Sequence, residues 1–389
     1  MKIALLSFVE CLNYGASLQV YALEKVIEDR YADVECEYIR YHKNQLAASA
    51  KWMARKIVSK IGRKDDTPSW TVREYVKIIR TSFCEGAGKN GKNTIRLFRE
   101  FWKLSNYSDP VSRRELKKLD DYDLYMVGSD QVWNCGRVDL DTTFLLDFVK
   151  EDDKKGSYAP SIGLKKIPVK YYKKYQKYWS RFHWLSCREK SGADLVSACT
   201  GRKVANVLDP VFLLTREQWE EREKKPDRIS PDAKYVVLYT LSDEKDYIPY
   251  IEPFLRKEQL QLVSLSGDIS KTAAVGPAEW LWYLHHAEYV VTDSFHGTAF
   301  SVIFEKQFSS IIPEEDFFES SSDRIVGLLT LLGLRDRVVR DRKQLFTLPQ
   351  IDFTEVRGRL NEKKKESFDY LDGMVLYGSC SSTKREEIL

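Results

Sequence analysis

"YVVTDSFHGTAFSVIFEKQFSSIIP", residues 289–313, passes from an apolar run through polar residues into an amphipathic stretch and out into a second apolar run. YVVTDS suits a buried strand ending at Asp293 and Ser294, GTAFSVIFE a helix from Gly297, and QFSSIIP a second strand. Strand, helix and strand in so short a space make a βαβ unit, and such units build parallel sheets with helices on both faces. The alternation recurs along the chain. KIALLSFV (2–9) leads through Gly15 into a helix with Leu18, Ala22 and Val26 at helical spacing, and VECEYIRY (34–41) alternates as a strand. DLYMVGSD, GSYAPSIG, HWLSCREKSG and KVANVLDPVF read as short strands ending in turn residues. Beyond the polar stretch EEREKKPDRISPDAK, the best linker by composition, come YVVLYTLS, a helix around YIPYIEPFL limited by its prolines, LQLVSLSG, and a helix near PAEWLWYLHHA.

At 389 residues the chain exceeds one ordinary core and fits about two domains. The economical architecture is α/β, two such domains facing a cleft. The divisions expected are an N-terminal domain over 1–228 with a helical insertion at about 43–121, a C-terminal domain over 229–340, and a helix with a tail over 341–389. With 43% hydrophobic and 31% charged residues the composition is that of a folded globular protein. A net charge of +4, from 62 basic and 58 acidic residues, is too small for nucleic acid to be the partner. MKIALLSFVECL is too short and too polar for a signal peptide, and no stretch approaches the roughly 18 apolar residues of a membrane span. Seven scattered cysteines without C-x-x-C spacing argue against a disulfide framework or a zinc site. These features predict a cytoplasmic protein.

In open α/β sheets ligands bind beyond the carboxyl ends of strands, where loops become helices whose free N–H groups favour anions. Four polar clusters occupy such positions. In NYGASLQ (13–19), Gly15 permits a tight turn and Ser17 is a candidate helix cap, so Asn13, Tyr14 and Gly15 form either a ligand-binding loop or an ordinary turn. In GSDQVWN (128–134), Ser129, Asp130, Gln131 and Asn134 suit sugar hydroxyls and Trp133 a pyranose face; the alternative is an Asx-type turn with a core tryptophan. SCREKSG (186–192) puts Arg188 at a strand end, as a binder of phosphate and carboxylate or as a solvated loop residue. In the opening stretch His296 stands one residue before the expected helix, flanked by Ser294, Phe295, Gly297 and Thr298. No histidine or carboxylate at i, i+4 from His296 suggests a metal, and His285 and His286 read as packing or surface groups.

NYGASLQVYAL, GSDQVWN, YAPSIG, CREKSG, LDPVFLL and TDSFHGTAFS occur in this order, and together they resemble the polysaccharide pyruvyl transferase family over about residues 1–335. The resemblance implies two Rossmann-like domains of the GT-B type. It implies transfer of the enolpyruvyl group of phosphoenolpyruvate onto two hydroxyls of a sugar, as a cyclic ketal, with no cofactor. It also implies that Arg188 and His296 serve the donor, with Ser294, Phe295, Gly297 and Thr298 beside them. Asp130 is then the candidate on the acceptor side. Relatives carry Arg-Leu-His where this chain has Ser294-Phe295-His296, so one positive charge is missing. A nearby lysine or arginine takes its place, the donor is held more weakly, or the donor differs. A histidine near a phosphate is expected to be protonated, as general acid or phosphate ligand.

Residues 51–64, KWMARKIVSKIGRK, interleave apolar and basic side chains and suit either a surface helix or an anionic membrane face where lipid-linked acceptors are assembled. The aromatics of YYKKYQKYWSRFHW suit sugar platforms or one buried helix face, and the acidic PEEDFFES (313–320) an acceptor-facing or solvated loop. Two rival functions share the architecture: a nucleotide-sugar glycosyltransferase of GT-B type and a non-catalytic saccharide-binding protein.

Overall fold

The computed structural model describes residues 1–41, 89–135, 140–227, 229–230, 232–266, 274–312 and 321–379. The basic segment 51–64, the acidic segment 313–320 and most of the expected insertion lie outside the described residues. The first half runs β1 (Lys2–Leu6), α1 (Tyr14–Arg30), β2 (Glu35–Tyr38), α2 (Lys89–Trp102), β3 (Leu124–Val127), β4 (Lys155–Ser157), α3 (Val169–Trp179), β5 (Ser186–Cys187), α4 (Lys190–Thr200), β6 (Ala205–Asn206) and α5 (Arg216–Glu220). The second runs β7 (Tyr235–Tyr239), α6 (Ile248–Glu258), β8 (Gln261–Ser264), α7 (Pro277–His285), β9 (Tyr289–Thr292), α8 (Phe295–Ile303), β10 (Gln307–Ile311), α9 (Ser321–Leu331), β11 (Val338–Val339) and α10 (Phe353–Ser379).

Both sheets are parallel, and their central strands are buried nearly throughout, which explains why KIALL, LYMV and YVVLY carry no polar alternation. The first has the order β2-β1-β3-β4 and the second β8-β7-β9-β10-β11. The short parallel pair β5-β6 adjoins β4 through the Gly156–Trp184 bridge and the bond from Ser157 N to Trp184 O at 3.1 Å. Each half therefore starts in the same way: its second strand lies on one side of the first and its third on the other. The chain reverses between β1 and β3 in one sheet and between β7 and β9 in the other, and crevices for ligands open at such points. The architecture is α/β with two Rossmann-like domains of GT-B type and a C-terminal helix.

One apolar core joins the halves. Residues of α1, α7, α8 and the segment 207–219 belong to it together with the buried face of α10, while separate clusters cover the outer faces of the two sheets. Tyr14 stacks on Trp280 at 5.5 Å and 16°, and Phe300 meets Trp280 and Trp219 edge-on at 5.3 and 5.0 Å. The 27-residue α10 returns to the first sheet. Ser367 accepts from Leu208 N at 3.0 Å, Tyr370 donates to Ser157 O at 3.0 Å, and the buried Met374 fills the space left by the missing side chain of Gly156. Among the described residues no helix is long and apolar enough to cross a membrane.

Two expectations about helix ends are corrected. Helix α6 runs through Pro253 instead of stopping at it, since Pro249 sits in the first turn where no N–H partner is required and the burial of Ile251 holds the rest. Helix α8 begins at Phe295, two residues before Gly297, because extended Ser294 caps it by accepting from Gly297 N at 3.4 Å. His296 thus lies in the first turn.

Within α1 the buried Glu24 accepts from Asn106 N at 2.6 Å. Burial pushes its carboxyl up to about 7, against the hydrogen bonds from Asn106 and Ser105. A folded-state value above the unfolded one of about 4.3 means that this group favours the fold at low pH and that the benefit is lost as pH rises through 7. Glu24→Gln is expected to raise the thermal midpoint at pH 8 and to leave it nearly unchanged at pH 4, read by melting followed by circular dichroism across that range.

Candidate functional site

Strand ends from both sheets converge on one carboxylate. Asp209, just after β6, is 1% exposed. Its Oδ1 accepts from Val211 N at 3.1 Å, which fixes the turn, and its Oδ2 accepts from Arg188 Nη1 at 2.7 Å and from Ser129 Oγ at 2.8 Å. His296 Nε2 lies 3.6 Å from the same oxygen, ion-pair range but beyond a hydrogen bond. Ser129 follows β3, Arg188 follows β5, and His296 comes across from the end of β9. Ser7, after β1, donates to Ser129 O at 2.7 Å and accepts from Gln19 of α1 at 3.0 Å, so the network is anchored in the first helix as well.

Burial alone would push the Asp209 carboxyl up, yet His296 and Arg188 beside it hold it well below the ordinary carboxylate range. It is an anion at any physiological pH. Arg188 is itself 7% exposed, with its guanidinium carbon 4.2 Å from the centre of the Phe295 ring. With Nη1 committed to Asp209 and one face to Phe295, the Nε and Nη2 donors carry no hydrogen-bond partner, and neither does His296 Nε2. Nε and Nη2 form the side-on edge of the guanidinium, two parallel donors matched to the two oxygens of a carboxylate or phosphate. A buried ion pair is a poor stability device, and buried donors left unsatisfied are costly. The arrangement has the chemistry of an oxyanion receptor.

Gly15 determines where His296 stands. A Cβ on Gly15 would overlap the imidazole, so only glycine lets the first turn of α1 pass so close. The backbone is strained around the site: Glu10, Asp130 and Ala159, just after β1, β3 and β4, have φ of 52°, 82° and 57°. Asp130 is half-buried, with its own carboxylate accepting from Gln131 N at 2.7 Å. Cys11 beside it is no nucleophile, since burial first and then the Asp130 and Glu10 charges push its thiol up to about 12.

Several residues expected at the ligand have structural work instead. Trp133 is fully buried, donating from its ring nitrogen to Phe144 O at 2.7 Å and packed on Trp179 and Phe182, so it is core and offers no sugar platform. Tyr175 and Trp179 of α3 bury the aromatic face of that helix in the same cluster. Tyr14 is 8% exposed and bonds Val275 O at 3.2 Å from across the domain junction. Asn13, not Ser17, caps α1, accepting from Ala16 N at 3.0 Å, while Ser17 accepts from Trp102 at 2.9 Å. Thr298 bonds Ser294 O and Ser310, and Gly297 leaves room for Thr292, so both serve the seat of α8 on its sheet. Ser294 caps that helix and brings no charge. Asn134 lies on Gly163 O, and the Gln131 amide faces Arg324 of α9.

His285 and His286 stack on Phe304 and Trp282. Together with Glu223 they bring three ligand-type groups within 4.8 Å, but His285 is already held by Glu223 at 2.8 Å and Arg216 at 3.0 Å, and a guanidinium at the ring opposes a cation.

The family model described as polysaccharide pyruvyl transferase matches residues 13–314, a span that contains the whole Asp209 network except Ser7. The chain belongs to the polysaccharide pyruvyl transferase family. Among solved structures this pyruvyl transferase family member is similar to the UDP-GlcNAc 2-epimerase of Methanocaldococcus jannaschii, with TM-score 0.46, 13% identity and coverage of 97% of this chain and 100% of that one. It is also similar to the UDP-GlcNAc 2-epimerase of Neisseria meningitidis (0.42, 9%, 95% and 99%) and to a heptosyltransferase of E. coli (0.34, 10%, 81% and 89%). Comparison with curated proteins gives no match.

Asp209 is the functional residue that the sequence alone did not single out. Asp followed by Pro after an apolar run reads as a turn, and only the three-dimensional meeting of β3, β5, β6 and β9 gives it partners. Asp209→Asn leaves Arg188 buried without its counter-charge and is expected to cost about 3–5 kcal/mol in urea unfolding at pH 7. A depressed folded-state value means that the charge contributes fully above the unfolded carboxylate value of about 4 and is lost as pH falls below it. The gap between wild type and variant should therefore be constant from pH 7 to about 5 and narrow below about 4. Gly15→Ala should keep the fold while displacing His296, with kcat falling on the order of a hundredfold.

Proposed function

We propose that the protein transfers the enolpyruvyl group of phosphoenolpyruvate to two hydroxyls of a saccharide in a cell-surface or exopolysaccharide precursor, forming a pyruvate ketal and releasing phosphate. The observation that carries this reading is the buried Arg188 edge with two unpartnered donors beside His296 Nε2, all assembled on Asp209. Phosphoenolpyruvate presents a carboxylate and a phosphate on one small carbon skeleton, which matches a planar fork and a neighbouring imidazole. Charge-assisted hydrogen bonds contribute about 1.5–3 kcal/mol each, so two such contacts supply about 3–6 kcal/mol, in the range of millimolar binding or somewhat tighter.

The reaction needs one proton on the methylene carbon of the donor and two new C–O bonds at the carbon next to it. A proton goes to the methylene carbon, making the methyl group, while the first sugar hydroxyl adds to the adjacent carbon and gives up its own proton. The C–O bond to phosphate then breaks, the second hydroxyl closes the ketal, and its proton leaves with the phosphate. Carbon is neither oxidised nor reduced overall, so no cofactor enters. In this scheme His296 donates the proton or holds the phosphate, and Arg188 neutralises the donor. Asp209 fixes both cations, and Asp130, at the strained end of β3, receives a proton from the acceptor hydroxyl. Use of phosphoenolpyruvate places the reaction in the cytoplasm, and a lipid-linked acceptor would bring the enzyme to the inner membrane face.

Incubation with phosphoenolpyruvate and a glycan panel should release phosphate and add about 70 Da to one glycan, the mass of a pyruvate joined with loss of water. Arg188→Lys keeps the charge but loses the parallel donors, and should raise KM for the donor about ten- to a hundredfold. Turnover of a nucleotide sugar instead, or unchanged activity in His296→Ala, would reject the assignment.

A further inference from the structure

Residues 164–178, LKKIPVKYYKKYQKY, carry six lysines and no acidic residue, whereas the whole chain has a net charge of only +4. Positive charge is therefore concentrated in this segment, and the remainder of the chain is slightly acidic. Helix α3 sorts the segment by face. Tyr175 and Trp179 are buried in the cluster on the outer face of the first sheet. Lys170, Lys173, Lys174 and Lys177, at i, i+3, i+4 and i+7, form an exposed stripe on the opposite side. The neighbouring α4, joined to α3 by the bond from Gln176 Nε2 to Cys199 O at 3.1 Å, brings one acidic residue, Asp194, and this pairs with Lys190. Lys170 and Lys177 lie over the rings of Tyr171 and Tyr178 at 4.7 and 5.4 Å. Among the described residues no carboxylate is within ion-pair distance of the four lysines of the stripe.

The start of the helix adds what a solvated lysine face does not require. Val169 is 92% exposed and Tyr172 39%, and together with Ile167, Lys170 and Lys173 they line a recess in the surface. One exposed apolar residue is ordinary. Apolar side chains beside a stripe of lysines, on a helix whose other face is buried in the domain, match the boundary of an anionic bilayer, where headgroups meet the charge and the acyl edge meets the apolar groups. A soluble polyanion offers the charge without the apolar layer. The same segment begins at the site. Ser161 N donates to Asp130 O at 2.8 Å, and Val169 stands six residues beyond Gly163, at most about 20 Å of extended chain. A bilayer resting on α3 would hold the Asp130 side of the site within reach of a saccharide anchored in that bilayer by a lipid.

We propose that α3 docks the protein on an anionic lipid surface, with Lys170, Lys173, Lys174 and Lys177 toward the lipid phosphates and Val169 and Tyr172 at the acyl boundary. Co-sedimentation of the full-length protein with vesicles of phosphatidylglycerol in phosphatidylcholine, and with vesicles of phosphatidylcholine alone, tests it. Wild type is expected to bind the anionic vesicles and not the neutral ones, with binding weakened as salt rises from about 0.1 to about 0.5 M. Each lysine near such a surface is worth roughly fivefold in affinity, so a variant with Lys170→Gln, Lys173→Gln and Lys174→Gln should bind about a hundredfold more weakly, while Arg at the same three positions retains binding. Val169→Asp should weaken binding severalfold, and all variants should melt as wild type does. Absence of wild-type binding to the anionic vesicles, or equal binding by the triple Gln variant, would overturn the proposal. Equal binding by Val169→Asp would also overturn it, by reducing the contact to attraction for any polyanion. The measurement involves no turnover, so its failure leaves the pyruvyl-transfer reading standing, and failure of that reading leaves this one intact.

Discussion

A carboxylate withdrawn from water has to be surrounded by donors, and the surroundings of Asp209 come from segments far apart in sequence. Ser129, Arg188, Val211 and His296 stand at different points of the chain and touch or approach the same side chain. Each sits at or just after the end of a parallel strand except Val211, in the turn that Asp209 caps. The parallel topology is what makes this convergence available, because it turns the carboxyl ends of several strands toward one edge. The cost of burying one negative charge thereby sets the position of an arginine and a histidine, and the geometry of those two side chains sets what the site can hold.

The alternation of apolar runs with helical patterns was enough to read the fold class, since strands buried on both faces leave uninterrupted apolar stretches such as LYMV and YVVLY. Arg188 and His296 were legible because each follows such a run. Trp133 misled for a physical reason: an aromatic after a strand end looks the same in sequence whether its ring faces a ligand or, as here, Trp179 at the end of α3 and Phe182 just beyond it. Asp209 was opaque because its meaning lies in partners from other strand ends, Arg188 and Ser129. The helix start at Phe295 was missed because Ser294 has the cap role that the pattern placed nearer Gly297.

The contact between the halves is aromatic and continuous with the main core, through Tyr14, Trp280, Phe300 and Trp219. Interfaces of this kind favour one relative placement of two domains over a spread of them. The return of α10 to the first sheet adds a second tie, through Ser367, Tyr370 and Met374. Here the stability of the fold and the precision of the site have a common source.

The approach of Gly15 to His296 gives that common source a further meaning. A bare backbone turn of one domain is the mould against which an imidazole of the other is seated, and a mould registers displacement without needing to bond anything. The imidazole is in register only while the two halves are docked to within a fraction of a side chain's width. Assembly of the interface and competence of the site are then a single event, and a small loosening of the junction would silence the protein while leaving each sheet folded.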